Sequence, residues 1–472
     1  MVALPHLAAR AMSARAPRPR ADLVTNLMEQ GAYHAALSIL TPQLASGAAD
    51  PVALDQAATC HWQLEEGEAA IAHLDRLVAG WPDLGSPCVK LASYAASMGQ
   101  TDRARAALDL AMARGLRSVQ ALALLNRLDP IPRDSAMARR LKTLARDQSL
   151  CKRDQAIAQN TLGKIEDRAG RYRAAFRWFA AANRTHGKVY HPRAISARVA
   201  SQILSFDPTR FSSSDRSGPR FLFITGMPRS GTTVLEHSLS RHSQIRALGE
   251  SVALSRTAEV LRRAHGGAGA WDWVECSSQL DRAKFQDLFL SFLPADARDD
   301  RRVLVTKMPL DLFDIGVAAW LWPQARFVHL DRHPMDVGLS NFTTLFHQGH
   351  GYAQRLDWTA HMIRAVDRSI SDYVGKLGGA IIRQSYRALV TDPEPHLRAI
   401  LRHSALDWDD ACLTPQASAR PVQTASIGQL TPGFTARGLG KWRRYEAQLA
   451  PLARALGSDW LDQWEGEDSG PD

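Results

Sequence analysis

The chain has 472 residues, of which 45% are hydrophobic and 22% charged, a balance that excludes wholesale disorder and a length that exceeds one ordinary core. Lys and Arg number 58 against 48 Asp and Glu, for a formal net charge of +10, which suits an anionic ligand. No run of about 18 apolar residues and no basic stripe interleaved with aromatic residues occurs, so we predict neither a membrane span nor nucleic-acid binding.

The N-terminal segment, residues 1–21, is rich in Ala, Arg and Pro and lacks the apolar core of a signal peptide. We predict a disordered tail there, with a transit-like segment as the alternative. A second tail is predicted at the other end of the chain, over 461–472.

Residues 22–205 are rich in Ala and Leu and read as one helix after another. Alanines recur in similar short windows at three steps of 34 residues and a final step of 37: Ala36, Ala70, Ala104, Ala138 and Ala175. A period of 34 is the length of a tetratricopeptide unit, a helical hairpin that buries its apolar face only by stacking on its neighbours. The pattern predicts an all-α repeat array whose concave surface binds a protein partner or dimerises. A plain helical bundle without a partner is the alternative.

Residues 206–219 are rich in Ser, Pro and Asp, a composition typical of a linker. The pattern of apolar residues changes after this stretch. Over 220–460, short apolar runs alternate with longer amphipathic segments. Alternation of strand and helix predicts an α/β domain with a parallel sheet and crossover helices. Within it, residues 262–300 are expected to include a mobile loop over the site or an inert surface loop.

The strongest motif is a buried strand, a glycine-bearing loop and a helix over residues 221–239, "FLFITGMPRSGTTVLEHSL". Gly226 and Gly231 enclose four residues, as in a Walker A loop, which binds an oxyanion through backbone N–H groups and a helix N-terminus. The Walker pattern requires Lys after the second Gly, but Thr232 stands there, and the cation is Arg229 inside the loop. A sulfuryl group carries less charge than a transferring phosphoryl group, so Arg, Lys and hydroxyl donors would suffice without a metal.

The segment "PRSGTT" (228–233) resembles the 5′-phosphosulfate loop of sulfotransferases that use 3′-phosphoadenosine 5′-phosphosulfate (PAPS). The segment 326–342 resembles the 3′-phosphate segment of that family. Two later blocks, 385–393 and 424–452, resemble tyrosylprotein sulfotransferases and bacterial fusions of tetratricopeptide repeats to a sulfotransferase. The resemblance covers about 218–455 and implies a P-loop-type sulfotransferase domain with PAPS as donor, no metal, and a hydroxyl acceptor.

The same resemblance implies which residues bind the donor. Those matching the 5′-phosphosulfate loop are Arg229, Ser230, Gly231, Thr232 and Thr233. Those matching the 3′-phosphate segment and the nucleotide pocket are Arg332, Ser340, Tyr386 and Lys441. A guanidinium that binds the 3′-phosphate would allow the protein to distinguish this donor from ATP, which lacks that group. A surface salt bridge is the alternative for Arg332.

Four residues match the catalytic positions of the family. Glu250 matches the general base, and a carboxylate is ionised at neutral pH and able to take a proton. Its alternative role is to cap the following helix. Lys307 and Ser426 match groups that stabilise the transition state together with Arg229, a cation offsetting charge on the bridging oxygen. A solvated surface lysine is the alternative for Lys307.

Several positions depart from the family pattern, and three of them bear on 3′-phosphate binding. Thr344 stands where tyrosylprotein sulfotransferases have a second phosphate-binding Arg, and Gly438 and Gly440 replace serines seen in relatives. We expect these departures to weaken 3′-phosphate binding rather than to change the fold.

The five cysteines are widely separated and form neither a CxxC pair nor a zinc-spaced cluster, so we predict no metal site and a cytoplasmic location. Two other functions remain open from the sequence. One is a nucleotide-dependent kinase or phosphotransferase, and the other is a repeat-based binding protein with an inactive nucleotide fold. The acceptor also remains open among a protein tyrosine, a carbohydrate and a small molecule.

Overall fold

A computed structural model describes residues 19–29, 31–45, 50–64, 66–116, 118–211, 218–265, 270–346, 349–414 and 434–467. The described residues up to Leu124 form one compact unit, and those from Leu125 onward form a second. The first unit is helical, and the second joins further helices to a parallel sheet. The predicted fold class, an all-α N-terminal part followed by an α/β domain, is confirmed. No helix among these residues is long and apolar enough to cross a membrane.

The helices that precede the sheet are α1 (Pro19–Glu29), α2 (Tyr33–Ala45), α3 (Pro51–Gln63), α4 (Gly67–Gly80), α5 (Ser86–Ser97), α6 (Thr101–Ala113), α7 (Val119–Leu128), α8 (Ala136–Leu144), α9 (Lys152–Arg168), α10 (Tyr172–His186) and α11 (Pro192–Ser205). Local chemistry sets several of their ends. The Asp50 carboxylate accepts a hydrogen bond from the Ala53 amide at 2.7 Å and caps α3, whose first residue is a proline. Gly187 ends α10 in the left-handed conformation, with φ of 61°.

The recurring alanines occupy every second helix. Ala36, Ala70 and Ala104 lie at the same place near the starts of α2, α4 and α6, and all three are fully buried. Ala138 in α8 and Ala175 in α10 are buried as well. A methyl side chain is small enough for paired helices to approach closely, so the sequence period corresponds to a repeating helical hairpin.

Five strands form the sheet: β1 (Arg220–Gly226), β2 (Ile245–Ala247), β3 (Val303–Lys307), β4 (Arg326–Asp331) and β5 (Ile381–Ser385). Their order is β2-β3-β1-β4-β5, and every neighbouring pair is parallel. In register, Ile224 of β1 lies opposite Lys307, and Gly226 lies opposite Leu330. The chain passes from β3 on one side of β1 to β4 on the other, and open α/β sheets bind ligands outside the strand ends at such a switch point.

The helices that follow β1 are α12 (Thr232–Leu239), α13 (Ala253–His265), α14 (Arg282–Ser291), α15 (Ile315–Leu321), α16 (Pro334–Thr343), α17 (Leu356–Leu377), α18 (Tyr386–Thr391), α19 (Pro393–His403), α20 (Glu446–Leu456) and α21 (Ser458–Leu461). Alternate residues of β1 face opposite cores, as the two-residue period of a strand requires. Phe223 stacks on Phe327 in one core, whereas Leu222 and Ile224 belong to the other. Helices therefore cover both faces of the sheet.

The segment 262–300 contributes packed structure on the C-terminal side of its glycines. Trp271 and Trp273 are almost fully buried in the core, and α14 follows them. Large indole rings lose contact with water only when the chain that carries them folds against the domain, so this part of the segment is packed. The loop expected at the glycines of the segment stays a prediction. The glycines of the segment, within 266–269, lie outside the described residues.

The helices from Leu125 onward belong to the same compact unit as the sheet. Asn183 of α10 donates to the Phe342 carbonyl at 2.9 Å, and Gln202 of α11 donates to the Ser369 carbonyl at 3.0 Å. Phe206, at the start of the predicted linker, is buried and packs edge-on against Trp271. Polar and aromatic contacts therefore attach the last helical hairpin to the α/β part well before the linker predicted at 206–219.

Candidate functional site

The carboxyl edge of the sheet brings together five of the predicted site residues, one from each strand. Arg229 follows β1, Glu250 follows β2, Lys307 ends β3, Arg332 follows β4, and Tyr386 follows β5. Because all strands of a parallel sheet end at the same edge, residues far apart in sequence meet there.

The loop between β1 and α12 adopts a strained conformation that only certain residues allow. The Ser230 amide donates to the Met227 carbonyl at 3.0 Å and closes the turn. Arg229 has a positive φ of 74°, which is uncommon for a residue with a side chain, and Gly231 has φ of 105°. A Cβ at Gly231 would lie 2.3 Å from two atoms of the Tyr386 ring, so glycine is required there for packing as well as for φ. Thr232 and Thr233 then begin α12, and their amides belong to an anion-attracting helix N-terminus.

Two buried donors at this edge make no hydrogen bond within the part of the chain that the structure describes. They are the Oγ of Ser230, a residue 1% exposed, and the Nε of Arg332. Leaving a buried polar group unsatisfied costs about 1–3 kcal/mol, so such groups in a native fold call for a partner. Both donors fit an oxyanion ligand.

Arg332 is held by three neighbours. Its Nη1 donates to the Arg229 carbonyl at 3.1 Å, its Nη2 donates to the Gly438 carbonyl, and its guanidinium lies over the Tyr386 ring, 4.7 Å from the centroid. The side chain is only 12% exposed, which does not fit the alternative of a surface salt bridge. The nearest carboxylate, Asp336, lies 3.8 Å away and accepts hydrogen bonds from the Gly440 and Trp442 amides.

The loop after β1 contacts α16 directly. Arg229 Nε donates to Ser340 Oγ at 3.2 Å, and Asn341 Nδ2 donates to the Pro228 carbonyl at 2.7 Å. The two predicted phosphate-binding segments are thus in contact. Burial and the nearby positive charge of Arg332 lower the pKa of Arg229 to about 10. Two guanidinium groups thus lie close to each other at this point.

Glu250 and Lys307 form an ion pair beside this loop. Lys307 is 1% exposed, and its Nζ lies 2.6 Å from Glu250 Oε1. The Lys307 amide donates to the Gly249 carbonyl at 2.9 Å, and Gly249, with φ of 69°, turns the chain after β2 so that Glu250 faces Lys307. Burial rules out the solvated-lysine alternative for Lys307. The capping alternative for Glu250 is not supported, because Ser251 Oγ accepts from the Ala253 amide that begins α13.

Residues 219–410 match the family model described as "Sulfotransferase family". These residues form a sulfotransferase domain. An uncharacterized protein of Aquifex aeolicus is 30% identical over 329 residues, which cover 67% of this chain and 43% of that protein, so this chain spans less than half of that relative's length. Protein-tyrosine sulfotransferase 1 of Danio rerio is 24% identical over 268 residues, 50% of this chain and 72% of that protein. A solved structure, the sulfotransferase domain from the Synechococcus PCC 7002 olefin synthase, is 22% identical with a TM-score of 0.38, covering 56% of this chain and 99% of that one.

The remaining predicted residues lie after the matched segment 219–410. Lys441 is exposed and begins a 3-10 helix, Lys441–Tyr445, that is tied to Asp336 through the Trp442 amide. Ser426 lies outside the described residues. A Cβ at Gly438 would lie 3.1 Å from Arg332 Nη2, so glycine allows the backbone carbonyl to approach that guanidinium.

Sequence reasoning missed three residues of this site. Glu236 of α12 places Oε2 3.7 Å from Lys307 Nζ, so the buried ammonium lies near two carboxylates. Asp336 and Asn341 hold the neighbouring backbone, as described above. The available signal was sequence spacing, since Asp336 stands four residues after Arg332 and Glu236 four residues after Thr232. Among the described residues, no group of three or more His, Cys, Asp or Glu side chains is arranged to hold a metal ion.

Proposed function

We propose that this protein is a PAPS-dependent sulfotransferase that moves a sulfuryl group to a hydroxyl acceptor. The observation that carries the proposal is the contact between Arg229 and Ser340, which links the two predicted phosphate-binding segments, with Arg332 donating to the Arg229 carbonyl. A nucleotide with anionic groups at both its 5′ and 3′ positions needs two such adjacent sites.

The residues present fit this donor. The backbone amides of the loop, the Ser230 hydroxyl and the Arg229 guanidinium would hold the 5′-phosphosulfate, with Thr232 and Thr233 at the helix N-terminus. Arg332 and Ser340 would hold the 3′-phosphate, and Tyr386 and Lys441 would border the nucleotide. When bound, the donor supplies an activated sulfuryl group on a good leaving group.

Glu250 is proposed as the general base. Its carboxylate takes the proton from the acceptor hydroxyl as the acceptor oxygen forms a bond to sulfur and the bond from sulfur to the bridging phosphate oxygen breaks. Lys307, bonded to Glu250 at 2.6 Å, would offset the charge that develops on the bridging oxygen. Ser426 is proposed as a second stabilising group. The products are the sulfated acceptor and adenosine 3′,5′-bisphosphate.

For the acceptor we favour a protein tyrosine, because a relative named protein-tyrosine sulfotransferase matches half of this chain. The helical hairpins, which we assign to the tetratricopeptide class, would present a protein acceptor, bind a partner or dimerise. All five cysteines are free thiols, which suits the cytoplasmic location that we propose.

Nucleotide binding to the purified full chain tests the proposal. By calorimetry without divalent metal, adenosine 3′,5′-bisphosphate should bind at least about 10-fold more tightly than 5′-AMP, because only the former engages Arg332 and Ser340 fully. Labelled-sulfate transfer from PAPS is then screened against tyrosine peptides, carbohydrates and phenolic small molecules. Equal affinity for the two nucleotides, or Mg²⁺-dependent phosphoryl transfer from ATP, would overturn the proposal.

A further inference from the structure

Helix α9, from the helical part of the chain, lies against the C-terminal end of α16. Asn160 Nδ2 donates to the Thr343 carbonyl at 3.0 Å. Nearby helical-part residues make similar contacts, since Asn183 donates to the Phe342 carbonyl at 2.9 Å and Lys188 Nζ to the Phe346 carbonyl at 3.0 Å. The end of the helix that carries Ser340 is therefore fixed by side chains from outside the strand-and-helix domain.

The C-terminal end of α9 contacts the segment that begins with Lys441. The Tyr445 hydroxyl donates to the Asp167 carboxylate. The same segment is tied to Asp336, one turn after Arg332, through the Trp442 amide. The last two turns of α9 therefore extend from the end of α16 to the 3-10 helix of Lys441.

Lys164 lies between these two attachment points. It follows Asn160 by one helical turn and precedes Asp167 by nearly one, so the three side chains share one face of α9. Lys164 is an exposed residue. Among the described residues, its ammonium makes neither an ion pair nor a hydrogen bond. The ammonium is thus available to a ligand.

Cations surround this ammonium. Crowding by protein atoms desolvates Lys164 and lowers its pKa to about 8, and positive charges near it add to the effect: Arg127, Arg229 and Arg168. An amine with this pKa is still mainly protonated at pH 7. Like charges held close together repel one another, so the arrangement favours binding of an anion.

We propose, on the basis of the proposed function, that Lys164 binds the 3′-phosphate of the donor and supplies the cation that α16 lacks at Thr344. Thr344 stands one turn after Ser340. Its hydroxyl donates to the Ser340 carbonyl at 2.7 Å, a contact within the end of the helix. Asn160 places α9 at that same helix end. The helical part of the chain would then complete the nucleotide site as well as any surface for the acceptor.

Calorimetry on the full chain tests this inference. Lys164→Met should weaken binding of adenosine 3′,5′-bisphosphate by at least about 10-fold, the usual effect of losing one charge-assisted contact. Binding of 5′-AMP should change by less than about 2-fold, because that nucleotide lacks the 3′-phosphate. Lys164→Arg should retain affinity to within a few-fold, since it keeps the charge.

Lys152→Met is the matched control, because Lys152 is an exposed lysine on the same helix, at its far end. It should bind both nucleotides like the wild type. Unchanged bisphosphate affinity in Lys164→Met, or an equal loss for both nucleotides, would overturn the role of Lys164 alone. Absence of any preference for the bisphosphate in the wild type would instead overturn the proposed function itself.

Discussion

Replacing Gly231 by Ala should damage both the fold and the donor site, and the size of the effect follows from the contacts of this residue. A Cβ would lie 2.3 Å from Cδ2 and from Cε2 of Tyr386. Carbon atoms in contact normally stay about 3.5–4.0 Å apart, so the ring would have to move by roughly 1.2 Å or more. Tyr386 is only 6% exposed and lies under the Arg332 guanidinium, so this movement would reach Arg332.

Two energetic terms add at this position. A residue with a side chain at positive φ costs about 1–3 kcal/mol, and forcing extra volume into a packed site costs about 1–3 kcal/mol more. Gly170 provides the matched control within the same compact unit, because its φ is 71° and a Cβ there would meet nothing within 4 Å. Gly170→Ala should therefore show only the cost of positive φ. Gly231→Ala should be less stable than Gly170→Ala by at least about 1 kcal/mol, because it also carries the cost of the added volume.

The assay compares the unfolding midpoint and the affinity for adenosine 3′,5′-bisphosphate in the two variants. Gly231→Ala should lose at least about 10-fold in affinity, because Arg332 is displaced, whereas Gly170→Ala should stay within about 2-fold. Adding Tyr386→Leu to Gly231→Ala removes the overlap and should recover part of the stability, a non-additive result typical of residues in contact. Equal behaviour of the two alanine variants in both measurements would refute this reasoning.

Two further predictions concern the chemistry of the site. Glu250→Gln should lower the turnover number by about 10²–10⁴-fold, the usual contribution of a general base. The affinity for the bisphosphate should be retained, because Glu250 contacts Lys307 rather than the loop. Turnover near the wild-type rate would contradict the assignment. Arg332→Ala should weaken binding of the bisphosphate, measured by calorimetry, by about 10–100-fold and should weaken binding of 5′-AMP much less. Equal weakening for both nucleotides would mean that Arg332 only supports the loop through its hydrogen bond to the Arg229 carbonyl.

The parts of this protein that could be predicted from sequence are those encoded locally. The 34-residue spacing from Ala36 to Ala70 predicted the helical hairpins, because a small residue must recur wherever paired helices touch. The buried strand before Arg229 and the one before Arg332 predicted where polar side chains would gather, since parallel strands end at one edge. The role of each of these residues stays a prediction.

Other features depended on segments that meet only after folding. Trp271 and Trp273 enter the core, and no local pattern revealed which surface would receive them. The burial of Lys307 beside Glu236 and Glu250 requires β2, β3 and α12 to converge.

The sequence by itself therefore determined the helical hairpins, the parallel α/β domain and the strand–loop–helix order around Arg229, because helix period, strand pattern and turn chemistry are properties of short segments. Only the tertiary structure decided that α9 contacts the end of α16 and that Lys164 lies near the charges of Arg127, Arg168 and Arg229. That placement depends on hydrogen bonds between residues widely separated along the chain, such as Asn160 and Thr343. No short segment contains the information that sets such contacts, because both partners and the packing between them must be in place first.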